Sequence, residues 1–287
     1  MGKIWKSMFM TLCVMSALLL TTTTVVRRPP AQDAAPRVIQ AKKPTDNEQQ
    51  MTVLLLGMDE SGVRPDSIML VRVKKNSVTM FSVPRDTKVD IRGSARKINA
   101  CIVYGGRELL TEKIGELTGA APDRFVSMKP GAFAAVVDAL GGVEYTVERN
   151  MYYSDPAQGL YIRLDAGRQT LDGKQCEHYC RYRQYLMGDL TRTEHQQKLL
   201  KALIEQKMTP ATLTALPRLW KVVAENVETD LTLKDITSFL PVLREMAAGK
   251  TEMISHTLPG EYNDMRKEGV CFYLPDESAA KTLWQQG

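Results

Sequence analysis

The sequence predicts an α/β protein: a single three-layer α-β-α domain on a central mixed sheet, set behind an N-terminal transmembrane helix. Three observations predict it. A short, continuous and largely apolar run at 52–56 ends at Gly57, the pattern of a strand buried on both faces. Strand-like and helix-like segments then alternate through the chain with turn residues between them. Ahead of them lies an uncharged run over 8–26, close to the roughly 20 residues that cross a bilayer.

The run over 8–26 is long for the apolar part of a signal peptide, the alternative reading, and no A-x-A cleavage site follows it. Flanking charge does not fix its orientation, because Lys3, Lys6 and the amino terminus face Arg27 and Arg28 across it. Residues 27–50, with Pro29, Pro30, Pro36 and Pro44 among polar neighbours, bury too little to fold and read as a flexible tether. Folding therefore begins near Met51.

After the first strand comes a turn with Asp59, Arg64 and Asp66, then strands over 67–73 and 78–83 joined by a short polar turn, which makes them a hairpin. In that arrangement the end of the first strand, the start of the second and the end of the third share one sheet edge. Asp59, Arg64, Asp66, Arg85 and Asp86 meet there, where open α/β sheets place ligands. The same residues could also form a rim of mutually satisfied salt bridges. Beyond Lys97-Ile98-Asn99 and Tyr104-Gly105-Gly106, apolar spacing predicts a helix over 107–117 ended by Gly119. A strand over 125–128, a helix over 130–140 opened by its proline, and a strand over 143–147 after Gly141-Gly142 follow. Residues 149–172 show no period and read as a surface excursion, whose Tyr152, Tyr153, Leu160 and Tyr161 can meet an apolar ligand or simply pack.

A short helix over 173–179 then delivers Arg181-Tyr182-Arg183. Taken as extended chain, the arginines at i and i+2 share a face and form a doubly charged clamp for a di-anion; a solvated strand face is the alternative. Thr191-Arg192-Thr193-Glu194 fits a capping box opening a helix to about Met208, with Arg192 and Gln196 on one face. Helices over 213–227 and 233–247, strands over 251–258 and 269–274, and a last helix from Asp276 complete the domain.

The charge balance, 38 basic against 33 acidic residues, suits an anionic ligand or membrane surface. It does not suggest nucleic acid: aromatics are 7%, and the basic residues are scattered rather than gathered in a stripe. Of five cysteines, Cys101, Cys176, Cys180 and Cys271 lie outside the apolar run; their number permits disulfides, but Cys176 and Cys180 at i, i+4 on a helix are too far apart for an easy bridge. His178 faces elsewhere, so a zinc site is not indicated.

With these residues laid out, the chain resembles the LytR-CpsA-Psr family of cell-wall polymer ligases over about residues 51–284. The matching pieces are Leu54-Leu55-Leu56-Gly57-Met58-Asp59, Arg64-Pro65-Asp66-Ser67, Ser82-Val83-Pro84-Arg85-Asp86-Thr87, Lys97-Ile98-Asn99, Asp138-Ala139-Leu140-Gly141-Gly142-Val143, Leu171-Asp172-Gly173, Arg181-Tyr182-Arg183, and Gly188-Asp189 with Arg192, Gln196 and Gln197. The resemblance implies a single-pass cell-membrane protein: residues 1–7 cytoplasmic, 8–26 in the bilayer, 27–50 a linker and 51–285 an extracytoplasmic domain. It implies a phosphotransferase that moves a glycopolymer from a polyprenyl-pyrophosphate carrier to peptidoglycan, forming a phosphodiester. A hydrolase of the same pyrophosphate, or a non-catalytic polyprenyl-phosphate binder regulating wall assembly, are the alternatives. The implied pyrophosphate ligands are Arg64, Arg85, Lys97, Arg181, Arg183, Arg192 and Gln196, with Arg85, Asp86, Arg181 and Arg183 catalytic and Mg2+ held near Asp59 and Asp66. Magnesium suits such a site, being hard and often bound by one or two carboxylates plus substrate phosphates. His195 departs from the family, which commonly has arginine there, and is expected to make one anion contact weaker or pH-dependent.

Overall fold

The computed structural model describes residues 50–184, 189–263 and 269–287, all within one compact unit spanning 40–287. The expected membrane run over 8–26, its tether through residue 49, and Gly188 lie outside the described residues. Among the described residues, no helix is long and apolar enough to cross a membrane.

The predicted three-stranded beginning is present. β1 (Met51–Met58) pairs antiparallel with β2 (Pro65–Val73), and β2 pairs antiparallel with β3 (Ser77–Val83). A small hairpin follows, β4 (Lys88–Ile91) with β5 (Ser94–Lys97), and a single 3-10 turn leads into α1 (Cys101–Thr118). This helix begins before the predicted 107 but breaks at Gly105 and Gly106, so the predicted segment is its second half. β6 (Arg124–Met128) returns parallel to β1, and α2 (Pro130–Ala139) starts on its proline, whose missing N–H costs nothing in a first turn.

β7 (Val143–Val147), β8 (Met151–Asp155), β9 (Leu160–Leu164) and β10 (Gly167–Leu171) then form two antiparallel ribbons, β8 with β9 and β10 with β7. The expected structureless excursion over 149–172 is therefore a folded one. Its inward residues Met151, Leu160, Ile162 and Leu164 form a second core with α3 (Gly173–Arg181) and α4 (Asp189–Lys207). Tyr152 and Tyr161 stand at exposed positions of these strands, so apolar residues do not simply alternate with polar ones.

α4 starts two residues before the predicted capping box, which makes Thr191 an interior residue whose carbonyl accepts a hydrogen bond from His195 Nδ1 at 2.6 Å. α5 (Pro210–Asn226) and β11 (Glu228–Thr229) follow. The single helix predicted over 233–247 is two, α6 (Leu233–Ser238) and α7 (Leu240–Ala247), which meet at Phe239. Pro241 lacks the N–H that a continuous helix would need. β12 (Glu252–Thr257) pairs parallel with β3, β13 (Gly260–Tyr262) pairs with β14 (Tyr273–Pro275), and α8 (Glu277–Gln286) ends the chain. The strand predicted over 269–274 contracts to β14.

The main sheet is mixed, in the order β11-β6-β1-β2-β3-β12. Because side chains alternate along each strand, it buries both faces. Leu54, Leu56, Ile68, Leu70, Phe81 and Val83 pack against Leu110, Ile114 and Leu117 of α1 and Trp284 of α8. On the opposite face Val53 and Val126 meet Ala132 of α2 and Val223 of α5, and Met69, Val71 and Met80 meet Leu200 of α4 and Met246 of α7. Each fully buried large apolar side chain contributes on the order of 1.5–3 kcal/mol. Helices on both faces leave the strand ends as the exposed part of the sheet.

Candidate functional site

The strand registers decide which residues meet. Gly57 of β1 lies opposite Ser67 of β2, Ile68 opposite Val83 of β3, and Gly57 beside Met128 of the parallel β6. The ends of β1, β3 and β6 and the start of β2 therefore share one edge, as the sequence predicts for the first three. Between β1 and β2 a tight turn forms on Asp59: its Oδ1 accepts from Ser61 Oγ at 2.7 Å and from the Val63 N–H at 3.0 Å, and its own N–H donates to the Arg64 carbonyl at 2.9 Å. Gly62 supplies the left-handed residue of that turn, with φ 71°. Burial pushes the Asp59 carboxyl up, but the hydrogen bonds from Ser61 and the turn N–H groups outweigh it and hold the group below its ordinary value.

Asp66, at the start of β2, is the hub of an ion-pair cluster. One carboxylate oxygen pairs with Arg85 Nη1, the other accepts from Arg183 Nη2 at 2.8 Å, and its backbone carbonyl accepts from Arg192 Nη2 at 2.9 Å. Behind Arg85, Lys97 Nζ lies 2.9 Å from Asp86 Oδ1. Backbone bonds fix the turn that carries Arg85: Thr87 N–H donates to the Pro84 carbonyl at 3.0 Å, and Tyr273 N–H to the Asp86 carbonyl at 2.9 Å.

The second wall comes from α3, and the family-like glycines and acids set its position. Asp172 forms a capping box with Gln175 at its start, and the Gly173 N–H donates to Asp138 Oδ1 of α2 at 2.7 Å. A Cβ at Gly173 would stand 2.1 Å from the Ala134 carbonyl oxygen, so this helix pair packs at its distance only with glycine there. Arg181 is the last residue of α3, not part of a strand as expected. The helix stops at the buried Tyr182, whose extended φ/ψ of −63° and 131° redirects the chain and leaves Arg181 and Arg183 on the same cavity. Arg181 Nη1 donates to Glu177 Oε1 at 2.9 Å and also pairs with Glu60 of the β1–β2 turn. Glu177 is 3% exposed and is further bridged by Lys174 Nζ at 3.1 Å.

α4 closes the site with Arg192 and Gln196. Gln196 accepts from Ser67 Oγ at 2.8 Å and donates to the Cys180 carbonyl at 3.2 Å. The neighbouring Gln197 does a different job: it is buried and donates to Ser82 Oγ and the His256 carbonyl at 2.7 and 2.6 Å, tying α4 to the ends of β3 and β12.

These walls enclose a cavity of about 510 Å³. Asp59, Asp66, Arg181, Arg183, Arg192 and Gln196 line its polar part; Leu55, Met58, Met69, Met128, Phe133, Tyr153, Leu160 and Leu200 line the rest. The cations and the amide suit a di-anion, and the apolar wall suits a hydrocarbon chain. Arg85, Asp86 and Lys97 are outside the lining; Arg85 joins it through Asp66, and Lys97 pairs with Asp86 behind Arg85. Arg64 lies in the same edge turn, its carbonyl accepting from the Asp59 N–H; its side chain is exposed and does not line the cavity. The expectation at His195 is corrected. It is 6% exposed, stacks edge-on against Tyr179 with centroids 5.2 Å apart, lies 3.7 Å from Glu148, and does not face the cavity, so it replaces no anion contact there.

Of the tyrosines left open by the sequence, Tyr153 lines the cavity with Leu160, while Tyr152 and Tyr161 are exposed. The sequence reading missed Glu60, Glu177 and Lys129 as cavity residues. Lys129 could have been found, since it follows β6 and a parallel β6 beside β1 carries it to the same edge. Glu177 gave no signal, because an acid on a polar helix looks solvated until Arg181 is placed. The four described cysteines are free thiols, and burial pushes Cys176 up to about 12 and Cys101 up to about 11.

Asp59 and Asp66 offer hard oxygen donors on one cavity, which fits magnesium. No group of three or more His, Cys, Asp or Glu among the described residues could hold a metal. A magnesium ion here would take its other ligands from a bound phosphate and water, as that ion commonly does.

The profile of the LytR_cpsA_psr family matches residues 18–287. The chain is 29% identical over 246 residues to the polyisoprenyl-teichoic acid–peptidoglycan teichoic acid transferase TagU of Bacillus licheniformis, covering 83% of this chain and 77% of that protein. It is 27% identical over 249 residues to the TagU transferase of Bacillus subtilis, covering 84% and 78%. Among solved structures it resembles TagT bound to LIIa-WTA, with a TM-score of 0.66 and 26% identity over 83% of this chain and 89% of that one.

Proposed function

The chain belongs to the LytR-CpsA-Psr family, and on that premise we propose that it is a phosphotransferase that moves a glycopolymer from a polyprenyl-pyrophosphate carrier to peptidoglycan. The observation that carries the reading is the cavity: an apolar chamber whose polar end holds Arg183 and Arg192 on Asp66 and Arg181 on Glu60 and Glu177. A polyprenyl chain fits the apolar wall, where each buried methylene is worth about 0.8 kcal/mol. Its pyrophosphate then meets the arginines, which exchange their carboxylate partners for phosphate oxygens.

In the reaction a sugar hydroxyl of peptidoglycan attacks the polymer-side phosphorus. The new P–O bond forms as the bond to the lipid phosphate breaks, and polyprenyl monophosphate leaves. Phosphoryl transfer asks a protein mainly for positioning and charge neutralisation. Arg181, Arg183 and Gln196 bind the pyrophosphate, Arg192 braces Asp66 through its carbonyl, and Arg85, held in its backbone-pinned turn, supplies a further guanidinium. A carboxylate of the cluster, Asp66 or Asp86, takes or orients the hydroxyl proton. Asp59 and Asp66 would hold magnesium when it is bound, and the ion would neutralise charge on the phosphate oxygens. The domain works outside the cell, tethered through 27–50 to a single membrane pass at 8–26.

Incubating the protein with a lipid-pyrophosphate-linked glycan, a peptidoglycan oligomer and Mg2+ tests this. A phosphodiester-linked polymer–peptidoglycan product with release of polyprenyl phosphate is expected. Free polymer phosphate would identify a hydrolase instead, and bound donor without turnover would identify a non-catalytic binder.

A further inference from the structure

The cations that line the cavity differ in what already holds them. Arg181 is paired with Glu60 and Glu177, Arg183 with Asp66, and Arg192 with the Asp66 carbonyl. Any phosphate that binds these arginines must displace or share a protein partner, so the gain is an exchange of one charged hydrogen bond for another. Lys129 also lines the cavity, and no carboxylate of the described residues lies within ion-pair distance of its ammonium.

Its position is set by the fold. Met128 pairs with Gly57 in the parallel β1–β6 register, so Lys129 leaves the sheet beside the Asp59 turn. Its side chain lies across that turn: a Cβ built on Gly62 would stand 2.6 Å from Lys129 Cε and 3.1 Å from Nζ. The ammonium is thus held over the loop that carries Asp59 and Glu60. A lysine is a compact point charge that serves phosphate oxygens without the geometry a guanidinium demands.

We propose that Lys129 is a donor-binding residue, whose ammonium takes an oxygen of the lipid-linked pyrophosphate from the β6 side of the cavity. This rests on the reading of the cavity as a lipid-pyrophosphate site. Because Lys129 gives up no protein ion pair, its contact adds more to affinity than its single charge suggests, and it acts on binding rather than on the chemical step.

Equilibrium binding of farnesyl diphosphate and farnesyl monophosphate to the full chain tests it, with wild type, Lys129→Gln, Lys129→Arg and Arg183→Gln compared, and with the thermal midpoint of each recorded. Lys129→Gln is expected to weaken diphosphate binding about tenfold, the order of one charge-assisted hydrogen bond, with a smaller loss for the monophosphate and an unchanged midpoint. Lys129→Arg should bind within about threefold of wild type. In the transfer assay, KM for the donor should rise in Lys129→Gln with kcat little changed. Diphosphate binding by Lys129→Gln equal to wild type overturns the inference. Loss with Lys129→Gln but not with Arg183→Gln leaves the inference standing and removes the arginine cluster from the site. Failure of wild type to bind the diphosphate overturns both.

Discussion

Two Asp–Arg clusters in this molecule use the same chemistry to different ends. Asp235 and Arg124 form a two-pronged pair, with Nε and Nη2 3.0 and 2.9 Å from the two carboxylate oxygens, and Asp235 also closes the capping box of α6 with Thr232. The hydrogen bonds from Arg124 and then Thr232 hold the Asp235 carboxyl well below its ordinary value. Asp66 instead divides its oxygens between Arg85 and Arg183, which come from separate parts of the chain, and it does so on the wall of a cavity. The first pair joins β6 to α6 and has no reason to open. The second gathers charge where an anion can enter and compete. What separates the structural pair from the one we propose as functional is access, not distance.

Replacing the arginines should separate the two clusters most sharply. Arg183→Ala and Arg85→Ala are each expected to reduce transfer by at least about 100-fold, the scale of losing one preorganised donor to developing charge. Their thermal midpoints should stay within a few degrees of wild type. Near wild-type transfer by both variants would place the chemistry elsewhere. Next in size is Asp235→Ala, which removes a capping-box partner and a partly buried ion pair and should cost roughly 1–2 kcal/mol in denaturant unfolding, while activity per folded molecule is unchanged.

The pH dependence of stability sharpens the same contrast. A carboxyl whose folded value is depressed stabilises the fold above its ordinary value, near 4, and that contribution is lost as pH falls through the lower folded value. Wild type should therefore lose stability below about pH 4, and Asp235→Ala should show a shallower acid limb. An equal slope in both proteins would mean that Asp235 is not what the acid titrates. The smallest effect expected is at His195. Because it packs on Tyr179 and Glu148 away from the cavity, His195→Gln should alter stability modestly. The pH profile of transfer should stay where it is, and a moved profile would return His195 to the site.

Much of the site was legible because it follows from strand order. The apolar run ending at Gly57, the short polar turn after β2 and the return at Arg85 place Asp59, Asp66 and Arg85 on one edge with no knowledge of packing. Arg64 lies at that edge too, but its turn is closed through its backbone and its side chain faces solvent, which strand order alone does not reveal. The i, i+2 arginines were read as a strand because alternation is the simplest way to align them. The helix end at Tyr182 aligns them equally well, and only the packing of Gly173 on Ala134 fixes where that end falls. The strands over 151–171, the pairing of β10 with β7 and the partners of Glu177 and His195 were hidden because each depends on contacts between elements distant in sequence.

The arrangement at Asp66 makes one coupling testable above the others. The two oxygens of Asp66 are held by Arg85 and Arg183; on the proposed reading, a bound pyrophosphate would draw the arginines away and free Asp66 to ligate a metal. Titrating Mn2+, as a paramagnetic substitute for Mg2+, into the protein with and without farnesyl diphosphate measures this directly, after subtraction of metal bound by the diphosphate alone. The account predicts weak metal binding to the free protein and binding at least about tenfold tighter with the diphosphate present, a coupling lost in Arg183→Ala. Equal metal affinity in both titrations would contradict it.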